Sequence, residues 1–360
     1  MLKFENLTKC DLLNLMNIQE EHELQDLYDT AYAIKKKYVN NVVYYRGLIE
    51  FSNVCIKDCY YCGLRKSSKQ ERYTITKKEI MQMALWAYEN KFGSVTLQSG
   101  ERQDKEFTDF ISEIISEIKK ATNGELAMTL CIGEQTEDVY KKWFDTGAHR
   151  YLLRIETSNQ DLYQKIHPNN SIHSFQNRVD CLSVLKKIGY QVGTGVMIGL
   201  PEQTSEDLVN DIIFYKQHDI DMIGMGPYII HKDTPLGQET INNNLDTAEV
   251  RNQRLIKSLK MIALTRIYLQ NVNIAATTAL QALHPMGREL GLKAGANILM
   301  PIITLPAYRK QYQLYDNKPC IDDSPEQCKN CLTTRVESIG DTVGFSKWGN
   351  SPHYKPSTKK

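Results

Sequence analysis

Three cysteines on one short segment, Cys55, Cys59 and Cys62, are the residues of this chain best suited to chemistry. Three thiolates brought together by one loop can each bind one iron of a four-iron cubane, which leaves the fourth iron without a protein ligand. An iron with an open position can bind and activate a small molecule. A structural zinc site would need a fourth Cys or His nearby, and none follows before Cys131. The spacing therefore favours a [4Fe-4S] cluster over zinc.

A second group of cysteines, Cys320, Cys328 and Cys331, lies near the carboxyl end of the chain. Three thiolates could hold a [2Fe-2S] cluster with one non-protein ligand, a second cubane or a zinc ion. Grouped cysteines fit metal binding in a reducing compartment better than a disulfide framework. The isolated cysteines are expected to be small buried side chains: Cys10, Cys131 and Cys181.

The charge balance argues against two classes of partner. Lys and Arg number 44 against 43 acidic residues, a net charge of +1, so we expect neither a nucleic acid nor an anionic membrane as partner. No window approaches the roughly 18 apolar residues of a membrane span, and the segment 1–5 lacks the apolar core of a secretory signal. We therefore expect a cytoplasmic protein.

The elements that must position the cysteines alternate along the chain. Eight β-rich runs are predicted as strands: 42–51, 94–98, 125–131, 150–155, 191–198, 221–225, 272–276 and 296–300. Stretches with apolar residues three or four apart are predicted as helices: 78–90, 107–120, 174–188, 205–217 and 249–269. Eight strand-helix units predict an α/β fold, a closed (β/α)8 TIM barrel, with an open doubly wound sheet as the alternative.

Three regions follow from this pattern. We expect N-terminal helices at 1–40, the barrel at 41–305 and a C-terminal extension with an accessory metal site at 306–360. In such barrels the active site lies at the carboxyl ends of the strands, which we call the mouth. The cysteine loop follows the first predicted strand, and Glu156 follows the fourth. One mouth is therefore expected to hold both.

Two residues around the last cysteine of the loop, Tyr61 before it and Gly63 after it, complete a motif that resembles that of the radical S-adenosylmethionine (SAM) enzymes. Over nearly all of residues 40–335 the chain is similar to the HydE family of [FeFe]-hydrogenase maturases. The motifs that carry this similarity are Leu97-Gln-Ser-Gly-Glu101, Arg150-Tyr-Leu-Leu-Arg-Ile-Glu-Thr157, Met197-Ile-Gly-Leu-Pro201 and the cysteine-bearing tail. The resemblance implies the barrel and a catalytic [4Fe-4S] cluster. It also implies reductive cleavage of SAM to methionine and a 5′-deoxyadenosyl radical.

The resemblance also implies the residues that bind SAM. Tyr61 would pack near the adenine, and Glu156 would bind the ribose hydroxyls. Arg178 would hold the amino-acid end, because its planar guanidinium suits a carboxylate. The methionyl ammonium would be contacted by the motif after the second strand: Gln98, Ser99, Gly100 and Glu101. From residue types alone, a simple turn at this motif and a surface Arg178–Glu156 pair are the alternatives.

Beyond the adenosine, the resemblance implies a substrate cavity lined from several strand ends: Arg154, Met225, Thr277, Thr278, Met300 and Tyr312. Without it, Met and Tyr at such positions are more simply core residues, and Arg154 could pair with a neighbouring carboxylate. For the second cysteine group, the resemblance implies an accessory site that some family members carry. We expect a [2Fe-2S] cluster there.

The implied function is assembly of the [FeFe]-hydrogenase active site, the H-cluster. The substrate would be a small organometallic complex, an Fe(CO)2(CN) unit bound to cysteine, which the radical attacks at sulfur. The complex would come from the maturase HydG and pass on toward HydF. A ferredoxin or a flavodoxin would supply the electron.

Two alternatives stay open. A methylornithine synthase shares the barrel and the first motif and would act on an amino acid. A binding or electron-transfer module could hold both clusters without catalysis. Biotin synthase is disfavoured, because the segments that match its cysteine-bearing strands contain no cysteine: Val95-Thr-Leu97, Met128-Thr-Leu130 and Val192-Gly-Thr194.

Overall fold

A computed structural model describes residues 7–356, so the segment 1–5 considered above for a signal lies outside the described part. The strands are β1 (Val42–Ser52), β2 (Ser94–Ser99), β3 (Ala127–Cys131), β4 (Arg150–Leu152), β5 (Gln191–Thr194), β6 (Met197–Ile198), β7 (Met222–Ile223), β8 (Gly226–Pro227), β9 (Asn273–Ile274), β10 (Ile298–Leu299) and β11 (Thr342–Val343).

The helices are α1 (Lys9–Asn17), α2 (Glu21–Val39), α3 (Lys77–Glu89), α4 (Lys105–Ala121), α5 (Glu137–Thr146), α6 (Gln160–Lys165), α7 (Phe175–Ile188), α8 (Ser205–Gln217), α9 (Pro235–Asn242), α10 (Ala248–Leu269), α11 (Thr278–Leu283), α12 (Gly287–Lys293), α13 (Pro306–Arg309) and α14 (Pro325–Ser338). A short 3-10 helix spans Ser171–His173. No helix within residues 7–356 combines the length and the apolar character that a membrane crossing needs.

Eight parallel strands form the barrel, in the order β10-β1-β2-β3-β4-β5-β7-β9. A parallel bridge between Ala275 and Ile298 joins the two ends of this path. The prediction of eight strands with intervening helices is therefore confirmed. Strands that run parallel need a crossover connection, and the helices between them supply it.

Two predicted strands break where they approach the mouth. The run 191–198 divides into β5 and β6, and the run 221–225 into β7, with β8 following as a partner of β6. The break coincides with a close approach of two backbones, because a Cβ atom on Gly195 would lie 2.3 Å from the carbonyl oxygen of Gly224. Backbones this close require glycine.

Side chains alternate between the helix layer and the barrel interior. Val95 and Leu97 on β2 belong to the same hydrophobic core as Ile111 on α4. The interior near the amino ends of the strands is polar instead, because buried Arg150 lies there. Its Nη2 donates to the carbonyl oxygen of Trp348, so the C-terminal segment contacts this end of the barrel.

The N-terminal helices pack outside the barrel. Leu12 and Met16 of α1 and Leu27 of α2 are buried, as their helical spacing predicts. Thr8 caps α1 by accepting from the backbone N–H of Asp11, while the Asp11 carboxylate accepts from the Thr8 backbone. These helices contact α8 and α10.

Candidate active site

The cysteine loop begins directly after β1, at the mouth. The backbone N–H of Glu101 donates to Cys55 Sγ at 3.3 Å, which joins this loop to the end of β2. Burial raises the pKa of all three loop thiols, that of Cys62 to about 12, and the neighbouring thiols raise that of Cys59 further. The three cysteines are half-buried in the folded chain. Thiols with raised pKa values lose their protons more readily beside positive charge, and bound iron supplies such charge.

Among residues 7–356, no three His, Cys, Asp or Glu side chains are arranged to hold one metal ion. A cubane makes a different demand, because each cysteine binds a separate iron and the thiols need not converge on one point. Burial of the loop, its mutual thiol interactions and the N–H donor to Cys55 fit a [4Fe-4S] cluster.

Arg72 holds the cysteine loop in shape, and the sequence did not reveal it. Its guanidinium donates to the backbone carbonyls of Asn53 at 2.6 Å and Leu64 at 2.9 Å. It donates as well to the carbonyl of Arg65 at 2.6 Å, and more weakly to two further carbonyls. The loop is therefore fixed from both of its ends by one side chain.

Two glycines permit the close packing around the cysteines. A Cβ atom on Gly100 would lie 2.3 Å from the carbonyl oxygen of Val54, and one on Gly63 would lie 2.1 Å from that of Gln313. Both obstacles are backbone atoms, which cannot turn away. Gly63 also donates its N–H to the carbonyl of Leu314 at 3.0 Å, so the C-terminal extension reaches the loop.

Four buried charged side chains form a network beside the loop. Arg178 on α7 lies 3.1 Å from Glu101 and 2.8 Å from Glu134. Lys57, within the cysteine motif, lies 3.1 Å from each of the same two carboxylates. Burial opposes the charge of Arg178, but the two carboxylates raise its pKa well above the ordinary value. The network places two cations and two anions next to the cysteines.

This network corrects one alternative and extends the prediction. Arg178 is buried and pairs with Glu101 rather than forming a surface pair with Glu156. Lys57 and Glu134 were not singled out from the sequence. The position of Lys57 inside the cysteine motif was a signal that could have identified it. Glu134 follows β3, and nothing in the sequence around it indicated a role.

Glu156 has a strained backbone and a charged neighbour. Its φ of 67° lies in the left-handed region, which is uncommon for a residue with a side chain. Its carboxylate pairs with Arg154 at 2.9 Å; the Glu156 side chain is largely buried and that of Arg154 is half-buried. Arg154 therefore pairs with a neighbouring carboxylate, as the simpler interpretation expected, and does so at the mouth.

Tyr61 belongs to the cysteine loop and packs against a histidine from the segment after β4. Its ring meets His167 edge-on, with ring centroids 5.4 Å apart, and its hydroxyl lies 3.4 Å from Nε2 of that histidine. Burial raises the pKa of Tyr61 well above its ordinary value, so the hydroxyl stays protonated. The contact with His167 fixes the ring within the cysteine loop, and the packing of Tyr61 near an adenine stays a prediction.

The motif after the second strand lies partly on β2 itself. Gln98 and Ser99 are its last residues, and the Gln98 amide donates to the Tyr312 hydroxyl at 3.3 Å. The Ser99 hydroxyl donates to the carbonyl of Gly100 at 2.7 Å. Gln98 and Tyr312, predicted for SAM and for the substrate cavity respectively, are therefore in contact.

A buried ion pair lies beside Tyr312. Lys318 contacts Glu50 on β1 at 2.5 Å and donates to the Tyr312 carbonyl at 3.0 Å. Both charged side chains are almost fully buried. Sequence reasoning missed this pair, because Glu50 lies within an otherwise apolar strand and its partner is 268 positions away.

The other predicted cavity residues differ in their surroundings. Met225 is fully buried in the main hydrophobic core, which agrees with the alternative that it is a core residue. Thr277 and Met300 are half-buried. The Thr278 hydroxyl accepts from Arg288, whose Nη2 lies 3.2 Å away.

Arg288 also reaches the second cysteine group, with Nη2 3.9 Å from Cys320 Sγ. Cys320 shares a hydrogen bond with Cys328, which raises the pKa of the Cys320 thiol and lowers that of Cys328. Cys331 is exposed one turn further along α14. The structure brings two of the three cysteines together and leaves the third at the surface.

The isolated cysteines need two corrections. Cys181 is buried as expected, but Cys10 is exposed because it lies on the outer face of α1. Cys131 is half-buried and not buried, because it is the last residue of β3, next to the three residues that match a cysteine-bearing strand of biotin synthase. β2 and β5 carry none, and one cysteine cannot hold a [2Fe-2S] cluster.

Comparison with known proteins agrees with this geometry. Residues 49–214 match the Radical SAM superfamily. The [FeFe] hydrogenase maturase subunit HydE of Thermotoga maritima is 42% identical over 97% of this chain and 95% of that protein. The 3-methylornithine synthase of Methanosarcina acetivorans is 25% identical over 93% and 89%.

Among solved structures, methylornithine synthase (PylB) superimposes with a TM-score of 0.79 at 24% identity, over 95% of both chains. That likeness establishes the shared barrel fold. The identity to HydE extends over almost the whole of both chains and covers the cysteine loop, the barrel and the tail. The chain belongs to the HydE family of radical SAM iron-sulfur enzymes.

Proposed function

We propose that this protein acts in the maturation of [FeFe]-hydrogenase, by using SAM on a cysteine-bound Fe(CO)2(CN) precursor of the H-cluster. The observation that carries the SAM part of the proposal is the position of Glu101. Its backbone N–H contacts Cys55, and its side chain contacts both Arg178 and Lys57. The polar groups suited to an amino acid are thus next to the cysteines.

In this proposal the charged network receives the amino-acid end of SAM. Cys55, Cys59 and Cys62 hold a [4Fe-4S] cluster, which when bound supplies the electron that cleaves SAM. Glu101 accepts from the methionyl ammonium. One N–H group of Arg178 leaves its glutamate partner and donates to the carboxylate of SAM instead. Gln98, Ser99 and Gly100 form the adjoining wall.

The adenosine end lies toward Tyr61 and Glu156. The Tyr61 ring, held by His167, offers a stacking surface. The Glu156 carboxylate can accept from two ribose hydroxyls while Arg154 balances its charge. Beyond them we assign the substrate to the region of Thr277, Thr278 and Met300, with Tyr312 at its edge and Met225 supporting it from the core.

Partners and region boundaries are part of the same proposal. HydG would deliver the precursor, HydF would receive the iron fragment, and a ferredoxin or flavodoxin would reduce the cluster in the cytoplasm. We assign an accessory [2Fe-2S] cluster to Cys320, Cys328 and Cys331. We also divide the chain into N-terminal helices, barrel and C-terminal extension at residues 40 and 305.

The test is anaerobic reconstitution, chemical reduction and chromatography for 5′-deoxyadenosine. The proposal requires the wild-type protein to form it. Cys59→Ser should abolish formation, whereas Cys328→Ser should leave it largely intact. A reconstituted wild-type protein that binds SAM without cleaving it would support the electron-transfer alternative, and equal loss in both variants would contradict two separate sites.

Methylornithine synthase remains the second candidate, because that fold superimposes on the whole chain. Two product assays separate the candidates. The first is activation of apo-hydrogenase in a mixture with HydG and HydF, and the second is chromatography for 3-methylornithine. Hydrogenase activation without 3-methylornithine is the expected result, and the converse would overturn our choice.

A further inference from the structure

The turn that carries Glu156 is held on one side by the barrel. The backbone N–H of Glu156 donates to the carbonyl of Gly195 at 3.0 Å, and its carbonyl accepts from Met197 at 2.9 Å. These bonds fix the backbone up to Glu156. The residue has a left-handed φ of 67°, so the turn beyond it must be stabilised by other contacts.

Helix α8 supplies those contacts on the other side. The backbone N–H and the side-chain hydroxyl of Ser158 both donate to Oδ1 of Asp211, each at 2.6 Å. The amide of Asn159 donates to Oδ1 of Asp207 at 2.8 Å. Asp207 and Asp211 are four residues apart and share one face of the helix. That face therefore accepts hydrogen bonds from two successive residues of the turn.

Asp211 is fully buried, and its second oxygen, Oδ2, has no hydrogen-bond partner in the described part of the chain. All of its hydrogen bonding therefore goes to Ser158. Burying a carboxylate oxygen without a hydrogen-bond partner destabilises the folded chain. The contacts that Asp211 does make are all with the turn that follows Glu156.

We propose that Asp211 is a positioning residue for SAM binding, which fixes the Ser158 turn so that the Glu156 carboxylate faces the mouth. The inference rests on the proposed role of Glu156 toward the ribose. Asp211 does not itself touch SAM in this proposal. Its effect on SAM must pass through Glu156.

Three substitutions separate positioning from simple stability. Asp211→Ala removes the acceptor of both Ser158 donors, whereas Asp211→Asn keeps a carbonyl oxygen at the same place. Loss of two hydrogen bonds should weaken SAM binding about tenfold in Asp211→Ala. Asp211→Asn should bind SAM within about twofold of the wild type, and Ser158→Ala should lie between them.

A matched control is Asp221, another buried aspartate of the barrel. It accepts from the backbone N–H of Val192 at 2.8 Å and from Lys186 at 2.9 Å, just before β7 begins at its amino end. Asp221→Ala should lower thermal stability without changing SAM affinity. The affinity is read from a SAM titration of the reduced cluster by electron paramagnetic resonance, on reconstituted full-length protein.

A double-mutant cycle provides the decisive readout. If Asp211 acts through Glu156, Asp211→Ala should add little to the loss already caused by Glu156→Gln. Equal losses in the wild-type and Glu156→Gln backgrounds would overturn the inference, as would unchanged SAM affinity in a folded Asp211→Ala. Should Asp211→Ala fail to fold, Ser158→Ala replaces it in the cycle.

Failure of the proposed function would look different. A wild-type protein that forms no 5′-deoxyadenosine contradicts the function whatever Asp211 does. A wild-type protein that cleaves SAM, with Glu156→Gln binding it normally, contradicts the ribose assignment on which the inference rests. The Asp211 inference fails alone when Glu156→Gln weakens SAM binding and Asp211→Ala does not.

Discussion

Arg178 and Glu101 are ion-paired at 3.1 Å, although 77 positions separate them in the chain. Glu101 follows β2 and Arg178 lies in the first turn of α7, so closure of the barrel brings them to the same mouth. The pair is buried and adjoins the cysteine loop through the backbone of Glu101. Barrel closure thus places a buried cation and a buried anion beside the cysteine loop.

Arg178→Ala should be strongly destabilising, because it removes one of the two cations that Glu101 and Glu134 share and leaves Lys57 alone with two buried carboxylates. Breaking a buried ion pair from one side costs about 3–5 kcal/mol. The measurement is urea unfolding of the reconstituted protein. Arg251→Ala serves as control, since Arg251 forms an exposed pair with Asp246 and should change stability by about 1 kcal/mol or less. Equal effects of the two changes would contradict the buried network.

Arg72→Ala should lower the iron content of the reconstituted protein by releasing the carbonyls that shape the cysteine loop. Several partly buried hydrogen bonds are lost at once, each worth about 1 kcal/mol. Iron per chain and the visible absorption of the cluster measure the effect. Lys69→Ala, an exposed change close by in sequence, should load iron normally. Full iron content in Arg72→Ala would show that the loop keeps its shape without this side chain.

Gly100→Ala should impair both folding and cluster loading. The added methyl group would lie 2.3 Å from the Val54 carbonyl oxygen, and the backbone there must shift. Overpacking of this kind costs typically about 1–3 kcal/mol. Gly224→Ala is the control, because its Cβ would meet only Leu152 side-chain atoms at 3.6 Å. Thermal unfolding and iron content should change in the first variant and not in the second.

Asp211 should make stability depend on pH. Burial raises its pKa from 3.8 to about 7, while the hydrogen bonds from Ser158 oppose the rise. The folded chain thus keeps a proton that the unfolded chain releases above pH 3.8, so the contribution of Asp211 to stability falls as pH rises from about 4 to 7. The slope is at most about 1.4 kcal/mol per pH unit.

Asp211→Asn removes this titration and isolates its effect. The free energy of unfolding of the wild type relative to Asp211→Asn should therefore fall between pH 5 and pH 7 and level off above. Denaturant unfolding of both proteins across this range measures the difference. A difference between the two proteins that is flat across this range would exclude the titration.

Much of the fold was open to prediction because its signals are local. The β-rich run of β1 and the spacing of Cys55, Cys59 and Cys62 lie within one short stretch, and each can be recognised without knowing its neighbours. The break between β5 and β6 was not predictable in this way. It coincides with the approach of Gly195 to Gly224, which lies between β7 and β8, far along the chain.

Individual residues of the site could be predicted from the sequence, but the contacts between them could not. Glu101 and Arg178 were identified, but their pairing depends on barrel closure. The pair of Lys318 and Glu50 was not predicted. A charged residue in an apolar strand can be interpreted only when its partner is known, and here the partner lies in the C-terminal extension. Glu156 was identified, but its left-handed backbone and its support by α8 belong to the folded chain.

The bonds from Arg72 to the loop carbonyls join protein to protein and involve no iron. Because both partners of each bond are protein atoms, we expect the chain itself, and not the iron, to set the shape of the loop. Removal and return of iron and sulfide should then need no refolding of the loop.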